Sequence, residues 1–361
     1  MGTLNRRLSN EQINPNMIIL ARESRGLTQS DLAKMLTITQ GTLSKVEKGF
    51  LQIPEEELSN IAGALDYPES FFYQPDMIYG PGVSELFHRK RQDVSTKLLK
   101  KNHAMIQLRY MQIERLLESV DIGNINIRSY DLDEPSAPTP MEVAQMTRAL
   151  WNLPRGPIDN VVAVIEEAGG IVVPCDLETN KIDAMSRWIP GTPPLFMINT
   201  RMPMDRIRFT LCHELGHVIM HRVPNTEMEK QADMFAAEFL MPTQDIRSSL
   251  DNLSLDKLAS LKQYWKVAMS ALVYRAKDLN KLTDNQARYL YMQMARLGYK
   301  TKEPEYLEPS KEEPQLFYEL VKVHLDQLGY TVQELSDVVS LNELEFKDTF
   351  KVDNRRLSVV R

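Results

Sequence analysis

The sequence predicts a mostly α protein with a small β-sheet, an α+β fold class divided among several domains. Apolar residues recur at helical spacing through most of the chain, and turn or capping residues separate these stretches. Three short apolar runs between residues 169 and 199 have the length of strands rather than helices. The length of 361 residues exceeds that of one ordinary domain, so two or three domains are expected.

The composition predicts a globular protein of the cytoplasm. Hydrophobic residues make up 43% of the chain and charged residues 25%, which suits packed cores with a solvated surface. No apolar run approaches the length of a membrane span and no signal peptide opens the sequence, so we expect no membrane association. The net charge of −6 argues against nonspecific nucleic-acid binding by the whole protein. Cys175 and Cys212 are the only cysteines, which suits a reducing compartment and no disulfide framework.

Residues 1–76 are expected to form an N-terminal domain of five short helices. Thr28 can cap the helix that follows it, and Gly49 is suited to end another helix. A short turn separates the second helix from the third, which is the arrangement of a helix-turn-helix motif. The predicted helices cover residues 17–24, 28–36, 40–48, 54–65 and 68–72.

In a helix-turn-helix, the second helix of the motif enters the major groove of DNA by its N-terminal end. The polar side chains that would face DNA are Gln40, Thr42, Ser44 and Lys45, and Gln29 would hold a phosphate. The segment resembles the XRE (Cro/C1-type) family of DNA-binding domains. That resemblance implies a DNA operator as partner, and a palindromic operator would be bound by a homodimer.

The charge of this N-terminal domain is also compatible with a different use. Residues 1–76 carry seven Lys or Arg and ten Asp or Glu, a net charge of −3, whereas DNA-binding modules are usually basic. The acidic run at residues 55–57 could lie away from the DNA, or the domain could bind a protein instead. Both DNA binding and protein binding are therefore consistent with this part of the sequence.

Residues 77–135 are predicted to be a basic helical connector. A helix is expected at residues 98–120, and the segment from Arg89 to Lys101 is the most basic part of the chain. This segment could add phosphate contacts or bind a nucleic-acid trigger. A solvated helix face or a linker explains the same pattern equally well.

Residues 136–300 are predicted to be a second folded domain with a helical extension. The expected helices lie at residues 140–153 and 158–168, and the expected strands at residues 169–174, 184–189 and 195–199. The next segment is apolar at helical spacing and contains the sequence His-Glu-Leu-Gly-His at residues 213–217.

This pentapeptide can form a metal site with a general base. His213 and His217 are four residues apart, so they project from the same face of a helix and can share one tetrahedral Zn²⁺. Glu214 would lie beside the metal, where a carboxylate can take a proton from water. The motif is typical of zinc-dependent peptide hydrolysis, and histidines that merely pack in a core are the alternative.

The third ligand is expected on the next helix, which follows a turn at residues 222–226. Along this helix Glu229 and Asp233 lie on a stripe of otherwise small or apolar residues, and an unpaired buried carboxylate is costly. We therefore predict Glu229 as the ligand, with Asp233 accepting a hydrogen bond from a ligand imidazole. Glu227 or Asp233 could replace Glu229, and an amphipathic helix with solvated acids is the structural alternative.

His221 continues the helical face of the two histidines by one further turn. Its side chain could contact a ligand histidine or stabilise an oxyanion. Alternatively, it is a helix-end histidine that interacts favourably with the helix dipole.

Residues 195–280 resemble the ImmA/IrrE family of gluzincin-type metallopeptidases. The resemblance depends on residues 213–221, 229–242 and 264–276. It implies Zn²⁺ as cofactor, His213, His217 and Glu229 as its ligands, and Glu214 as the catalytic residue. Members of this family often cleave transcriptional repressors, which implies a repressor as protein substrate.

Two further helical parts are predicted in the remaining sequence. A helix pair is expected within residues 254–279, packed against the preceding domain. Residues 300–314 are predicted to be a charged linker, and residues 301–361 are assigned to a C-terminal helical unit. Within that unit, Pro314 opens one helical stretch and Thr331 can cap a second stretch that extends to residue 350.

Two classes of function are consistent with these features. The first is a transcriptional regulator with zinc metalloendopeptidase activity, which cleaves a repressor or itself and so induces stress or mobile-element genes. The second is a metal-containing XRE-type transcription factor, or an antitoxin-like protein, that senses or binds a partner without proteolysis. Glu214 favours the first, because a structural metal site needs no general base and usually has four protein ligands.

Overall fold

The computed structural model describes residues 12–75, 94–134, 136–189, 191–299 and 302–352. Contacts divide them into two compact units. The helical unit comprises the described residues of 12–122 and 317–352, and the α/β unit comprises those of 123–316. The mostly α fold with one small sheet, which the sequence predicts, is confirmed.

The described residues form sixteen α-helices and three strands. The first five helices are α1 (Pro15–Ser24), α2 (Gln29–Met35), α3 (Gln40–Glu47), α4 (Glu55–Leu65) and α5 (Thr96–Leu117), with a 3₁₀ turn at Glu69–Tyr73 after α4. Next come α6 (Pro140–Leu150), α7 (Val161–Glu167), β1 (Ile171–Cys175), β2 (Ala184–Arg187), β3 (Leu195–Asn199), α8 (Met204–Met220) and α9 (Met228–Leu240). The chain continues with α10 (Thr243–Ile246), α11 (Leu255–Trp265), α12 (Met269–Asp278), α13 (Asp284–Arg296), α14 (Leu316–Asp326), α15 (Val332–Val339) and α16 (Glu343–Phe350).

The helix-turn-helix forms where the sequence predicts it, because local side chains fix both of its helix starts. Thr28 caps α2 through a capping box with Asp31, and Thr39 accepts a hydrogen bond from the backbone of Thr42 at the start of α3. The apolar faces of α1 to α4 are buried against one another. The predicted fifth helix is the 3₁₀ turn after α4.

Two parts of the chain far from α1–α4 complete the helical unit. Helix α5 packs against α1, and α15 packs against α5. Arg25 donates hydrogen bonds of 2.9 and 2.6 Å to the carboxylate of Glu345 on α16, and its guanidinium lies 4.3 Å from the ring centre of Tyr67. Gln74 also donates to the hydroxyl of Ser340, which follows α15. The C-terminal helices are therefore integral to this unit.

The α/β unit contains the sheet, whose strands are ordered β1-β3-β2. The central strand β3 is parallel to β1 and antiparallel to β2, and all five of its residues are buried. Helix α8 packs against β2, β3 and α9. The sheet thus supports the helix that carries His213 and His217.

Buried polar contacts fix the C-terminal end of α9. Arg148 on α6 donates a 2.7 Å hydrogen bond to the carbonyl of Phe239, and Arg275 on α12 forms an ion pair with the buried carboxylate of Glu238. Arg275 also donates to the carbonyl of Met241 just beyond the helix, at 2.9 Å. These contacts satisfy carbonyls at the helix end and hold α9 in place.

The charged segment after α13 is an anchored part of the α/β unit, and we call residues 302–316 the acidic strap. Glu308 accepts a 2.5 Å hydrogen bond from the backbone of Met204 at the start of α8. Glu303 accepts a 2.9 Å hydrogen bond from the backbone of Met269 at the start of α12. Neither helix has a side-chain cap from its own preceding residue. The strap therefore supplies caps that the local sequence lacks.

A third glutamate of the acidic strap is buried. Glu312 accepts hydrogen bonds of 2.7 and 3.1 Å from the backbones of Val161 and Val162 at the start of α7. It also forms a buried ion pair with Arg208 on α8. These contacts correct the prediction of a linker for residues 300–314, because the charges expected in solvent bind helix ends and a buried guanidinium.

None of the helices in the described ranges is both long and apolar enough to cross a membrane.

Candidate metal centre

Helices α8 and α9 approach closely at the position where the predicted metal site lies. A Cβ added to Gly216 would lie 3.2 Å from Cδ1 of Phe235 and 3.3 Å from Cα of Ala232. A glycine inside a helix costs about 1 kcal/mol relative to alanine, and this close packing accounts for its presence. The approach brings Glu229 on α9 to the face of α8 that carries the histidines.

The donor atoms of His213, His217 and Glu229 converge. The two Nε2 atoms are 3.0 Å apart, and the carboxylate of Glu229 is 3.5 Å from Nε2 of His213 and 3.2 Å from Nε2 of His217. A tetrahedral Zn²⁺ with bonds of about 2.0–2.1 Å separates its donors by about 3.3 Å. The three side chains therefore fit zinc in both donor chemistry and spacing.

The remaining ring nitrogen of His213 is held by Asp233. Nδ1 of His213 lies 2.8 Å from Oδ1 of this carboxylate. Because an ionised carboxylate only accepts hydrogen bonds, Nδ1 carries a proton, and Nε2 is the nitrogen that can bind a metal once it has lost its own proton. Asp233 is one turn after Glu229 on α9, so both carboxylates project from the same side of that helix. The structure thus places Asp233 beside the ring of His213.

The remaining ring nitrogen of His217 is held through a chain of two side chains. Nδ1 of His217 lies 3.0 Å from Nδ1 of His221, and Nε2 of His221 lies 2.9 Å from Oε1 of Gln231. The amide oxygen accepts a hydrogen bond from Nε2–H of His221, so Nδ1 of His221 is unprotonated and accepts a hydrogen bond from Nδ1–H of His217. This arrangement leaves Nε2 as the nitrogen of His217 that can bind a metal. His221 itself ends α8 with an extended backbone, and so does not continue the helix as expected.

Glu214 is buried beside this cluster, with a hydrogen-bond donor on one of its oxygens. Its side chain accepts a 2.5 Å hydrogen bond from the hydroxyl of Ser186, and the residue is only 2% exposed. Ser186 lies on β2, the edge strand that packs against α8. The sheet therefore orients the carboxylate that the sequence predicts as the general base.

The charges of the cluster are coupled. Burial alone would lower the pKa of His213, but the hydrogen bonds to Asp233 and Glu229 outweigh it and raise this pKa to about 10. Burial opposes ionisation of Glu229 as well, yet its hydrogen bonds to the two histidines hold its pKa well below the usual range. Burial and the neighbouring His217 lower the pKa of His221 to about 4, so this ring is neutral at pH 7.

Two residues that the sequence does not single out touch the predicted site. Ser186 is 28 residues from Glu214 and meets it only because β2 packs on α8. Gln231 lies between the predicted ligand Glu229 and Asp233, and the four-residue helical spacing that indicates Asp233 does not indicate Gln231. By contrast, the alternative ligand Glu227 is exposed at the start of α9 and is outside the donor cluster.

The residues predicted to face DNA lie on α2 and α3 of the helical unit. Gln40 and Lys45 are exposed, and Gln29, Thr42 and Ser44 are half-buried. The amides of Gln29 and Gln40, each the first residue of its helix, are joined by a 2.8 Å hydrogen bond. The two helices of the motif therefore present adjacent polar groups at one surface.

A buried ion pair supports these polar groups. Glu47 accepts a 2.6 Å hydrogen bond from Nε of Arg22 on α1, and Gln29 donates a 2.7 Å hydrogen bond to the same carboxylate. A buried carboxylate with several donors is well compensated. Glu47 thus has a structural role in positioning Gln29.

Comparison with known families agrees with both parts of this description. Residues 18–72 match the helix-turn-helix family model, which covers the chain from α1 to the 3₁₀ turn after α4. Residues 165–277 match the peptidase M78 model, an IrrE N-terminal-like domain, and this range contains the whole donor cluster. The two resemblances predicted from the sequence are therefore confirmed. No curated protein matches the chain.

Proposed function

We propose that this chain, which joins a helix-turn-helix segment to an IrrE N-terminal-like segment, is a transcriptional regulator that acts as a zinc-dependent endopeptidase. Its substrate would be a repressor protein or the chain itself, and cleavage would induce stress or mobile-element genes. The observation that carries the proposal is the buried Glu214, oriented by Ser186 beside three convergent donors. A purely structural metal site has no use for such a carboxylate.

The chemistry follows from the placement of each side chain. Zn²⁺, when held by His213, His217 and Glu229, would supply a Lewis acid that polarises the scissile carbonyl and lowers the pKa of water. Glu214 would accept the proton of the attacking water and deliver it to the leaving amine. Because Ser186 binds Oε2 of this carboxylate, the proton would be carried by Oε1.

The combination of the two segments is useful for a regulator. If α2 and α3 bind an operator, the peptidase is held near any repressor bound to the same DNA. Such tethering can raise the effective substrate concentration to about 1 mM when the connection is short and flexible. A peptidase with weak intrinsic affinity for its substrate could then still be selective.

The decisive comparison uses the wild type, Glu214→Gln and, as a matched control, Glu227→Gln on the exposed start of α9. Each protein is co-expressed with repressors encoded by neighbouring genes, then analysed for zinc content and for fragments of the repressor or of itself by mass spectrometry. We expect zinc in all three proteins, cleavage by the wild type and by Glu227→Gln, and a loss of about 10²-fold or more in Glu214→Gln.

Two other results would change this assignment. Cleavage by Glu214→Gln at the wild-type rate would refute the role of Glu214. Zinc in all three proteins, no cleavage by any of them, and unaltered control of transcription would support a metal-containing transcription factor that does not act as a peptidase.

A further inference from the structure

The N-terminal end of α5 lies beside the polar surface of the helix-turn-helix. A cavity of about 580 Å³ in the helical unit separates the starts of α2 and α3 from the first turns of α5. Among the residues that line it are Gln29, Ser30 and Gln40 on one side and Thr96, Lys97 and Lys100 on the other. Helix α5 lies outside residues 18–72, so these lysines are not part of the matched helix-turn-helix.

Helix α5 supplies positive charge that the N-terminal domain lacks. Residues 1–76 have a net charge of −3, whereas residues 96–117 contain five Lys or Arg and one Glu, a net charge of +4. Association with DNA requires cations that can replace the counterions of its phosphates. Packing of α5 on α1 therefore brings the missing charge to the acidic domain.

The two lysines remain accessible to a new anion. Lys97 lies 3.6 Å from Asp31 and Lys100 lies 2.9 Å from Glu23, and their side chains are 57% and 55% exposed. Exposed ion pairs of this kind contribute little to stability, so a phosphate can compete for the ammonium groups at little cost. In the absence of DNA, the same lysines neutralise two acids at the edge of the surface that carries Gln29.

We propose that the first turns of α5 form part of the DNA-binding surface, with Lys97 and Lys100 contacting backbone phosphates next to the contact made by Gln29. This proposal rests on the proposed binding of DNA by α2 and α3. It differs from the nucleic-acid trigger considered for the segment from Arg89 to Lys101, because the ligand is the operator duplex itself. Residues 89–93 of that segment lie outside the described residues.

The test measures DNA affinity as a function of salt for the full-length chain. One probe is a duplex enriched by the wild type from a pool of randomised sequence, and the other is a duplex of mixed sequence. The double variant Lys97→Gln/Lys100→Gln is compared with Lys277→Gln/Lys311→Gln. Lys277 and Lys311 are matched controls, since both are exposed and paired with an acid, at 2.8 and 2.9 Å.

We expect the plot of log affinity against log salt concentration to become shallower by about 1 for each lysine, and so by about 2 in the Lys97/Lys100 variant. The control variant should keep the wild-type slope. Glu23→Gln, which removes the acid beside Lys100, should bind both probes more tightly than the wild type. Circular dichroism confirms that each variant is folded.

The possible failures are distinguishable. Equal slopes for the Lys97/Lys100 variant and the control on both probes would overturn the role of α5. Failure of the wild type to enrich any sequence would instead refute operator recognition by α2 and α3, and the slopes on the mixed-sequence duplex would still decide whether α5 contacts phosphates.

Discussion

At the scale of single residues, the two candidate ligand histidines are oriented by different kinds of partner. His213 donates to the carboxylate of Asp233, whereas His217 donates to the neutral ring of His221, which is held by Gln231. A carboxylate partner raises the basicity of an imidazole more than a neutral partner does. The cluster thus contains one strongly basic histidine and one that is fixed mainly in orientation.

The hydrogen bonds from His217 through His221 to Gln231 should be important for zinc affinity. We expect His221→Phe and Gln231→Leu each to weaken zinc binding by about 10- to 100-fold, because His217 loses the partner that keeps its lone pair on Nε2. Competition with a fluorescent chelator measures this affinity without any substrate. Lys230→Gln, on the exposed neighbour of Gln231, is the control and should bind zinc like the wild type. Unchanged zinc affinity in both test variants would contradict this role for His221 and Gln231.

Zinc binding should also depend on pH in a defined direction. The metal-free site holds a proton on His213, whose pKa is raised to about 10 by Asp233 and Glu229, and zinc must displace that proton. Below this pKa, the association constant for zinc is therefore expected to rise roughly tenfold for each unit of increasing pH.

Calorimetry at pH 7 in buffers of different ionisation enthalpy should detect release of about one proton per zinc. Asp233→Asn should make the pH dependence weaker, and an unchanged dependence would argue against this coupling.

At the scale of elements, the site depends on the contact between α8 and α9. Gly216 permits their close approach, and Arg148 and Arg275 hold the far end of α9. The acidic strap caps the start of α8 from a distance of 104 residues along the chain. Helix α8 is therefore positioned by packing in its middle and by a remote carboxylate at its start.

Two glycine substitutions separate packing from helix propensity. In Gly216→Ala the new Cβ meets the backbone of α9, so we expect a loss of about 1–3 kcal/mol in the free energy of unfolding, despite the better propensity of alanine. In Gly63→Ala on α4 nothing lies within 4 Å of the new Cβ, and we expect a gain of about 0.5–1 kcal/mol. Thermal unfolding measures both changes. Destabilisation of equal size in the two variants would contradict the packing argument.

Local signals allowed many elements to be predicted. The strand at residues 195–199 has the predicted bounds, and Thr28 caps its helix as predicted, because both depend on neighbouring residues. Helix α13 was not predicted, although Thr283 and Gln286 form a capping box that marks its start. The stretch from Thr331 to residue 350 is two helices, because Ser340 adopts a left-handed backbone with φ of 53°.

The candidate site could be predicted only where spacing along the chain determines proximity. His213 and His217 are one helical turn apart, and Asp233 follows Glu229 by the same interval. Contacts made through tertiary packing leave no such signal. Ser186 reaches Glu214 from another element, and Glu312 reaches Arg208 across 104 residues, so neither contact could be inferred from the sequence.

At the scale of the whole molecule, the helical unit is built from three separate parts of the chain. Residues 12–75, 94–122 and 317–352 share one set of contacts, and the α/β unit is formed by the residues between the second and third parts. Sequence boundaries at residues 76, 135 and 300 describe consecutive blocks, whereas contacts group the first block with residues 94–122 of the second and residues 317–352 of the last. Two compact units of this kind are expected to unfold separately.

Calorimetry should therefore resolve two transitions with different sensitivities. Phe346→Ala removes a fully buried ring from α16 and should reduce the unfolding free energy of the helical unit by about 3–5 kcal/mol. Only the transition temperature of that unit should fall. Leu272 on α12 is equally buried, and Leu272→Ala should reduce the unfolding free energy of the α/β unit by about 2–5 kcal/mol. Only the transition temperature of that unit should fall. Chelation of zinc should also lower only the transition temperature of the α/β unit, which contains the candidate ligands. A single transition shifted by all three changes would contradict this division.

The discontinuous helical unit also has a consequence for protein synthesis. At about 5–20 residues per second, a ribosome needs roughly ten to sixty seconds to extend the chain from residue 75 to residue 352. During most of that interval Arg25 lacks Glu345, and the apolar faces of α14 to α16 become available only near its end. A nascent chain halted after the acidic strap would contain the metal-site residues without a finished helical unit. Synthesis of the chain as far as α16 is therefore a condition for assembling the part of the molecule that we propose binds DNA.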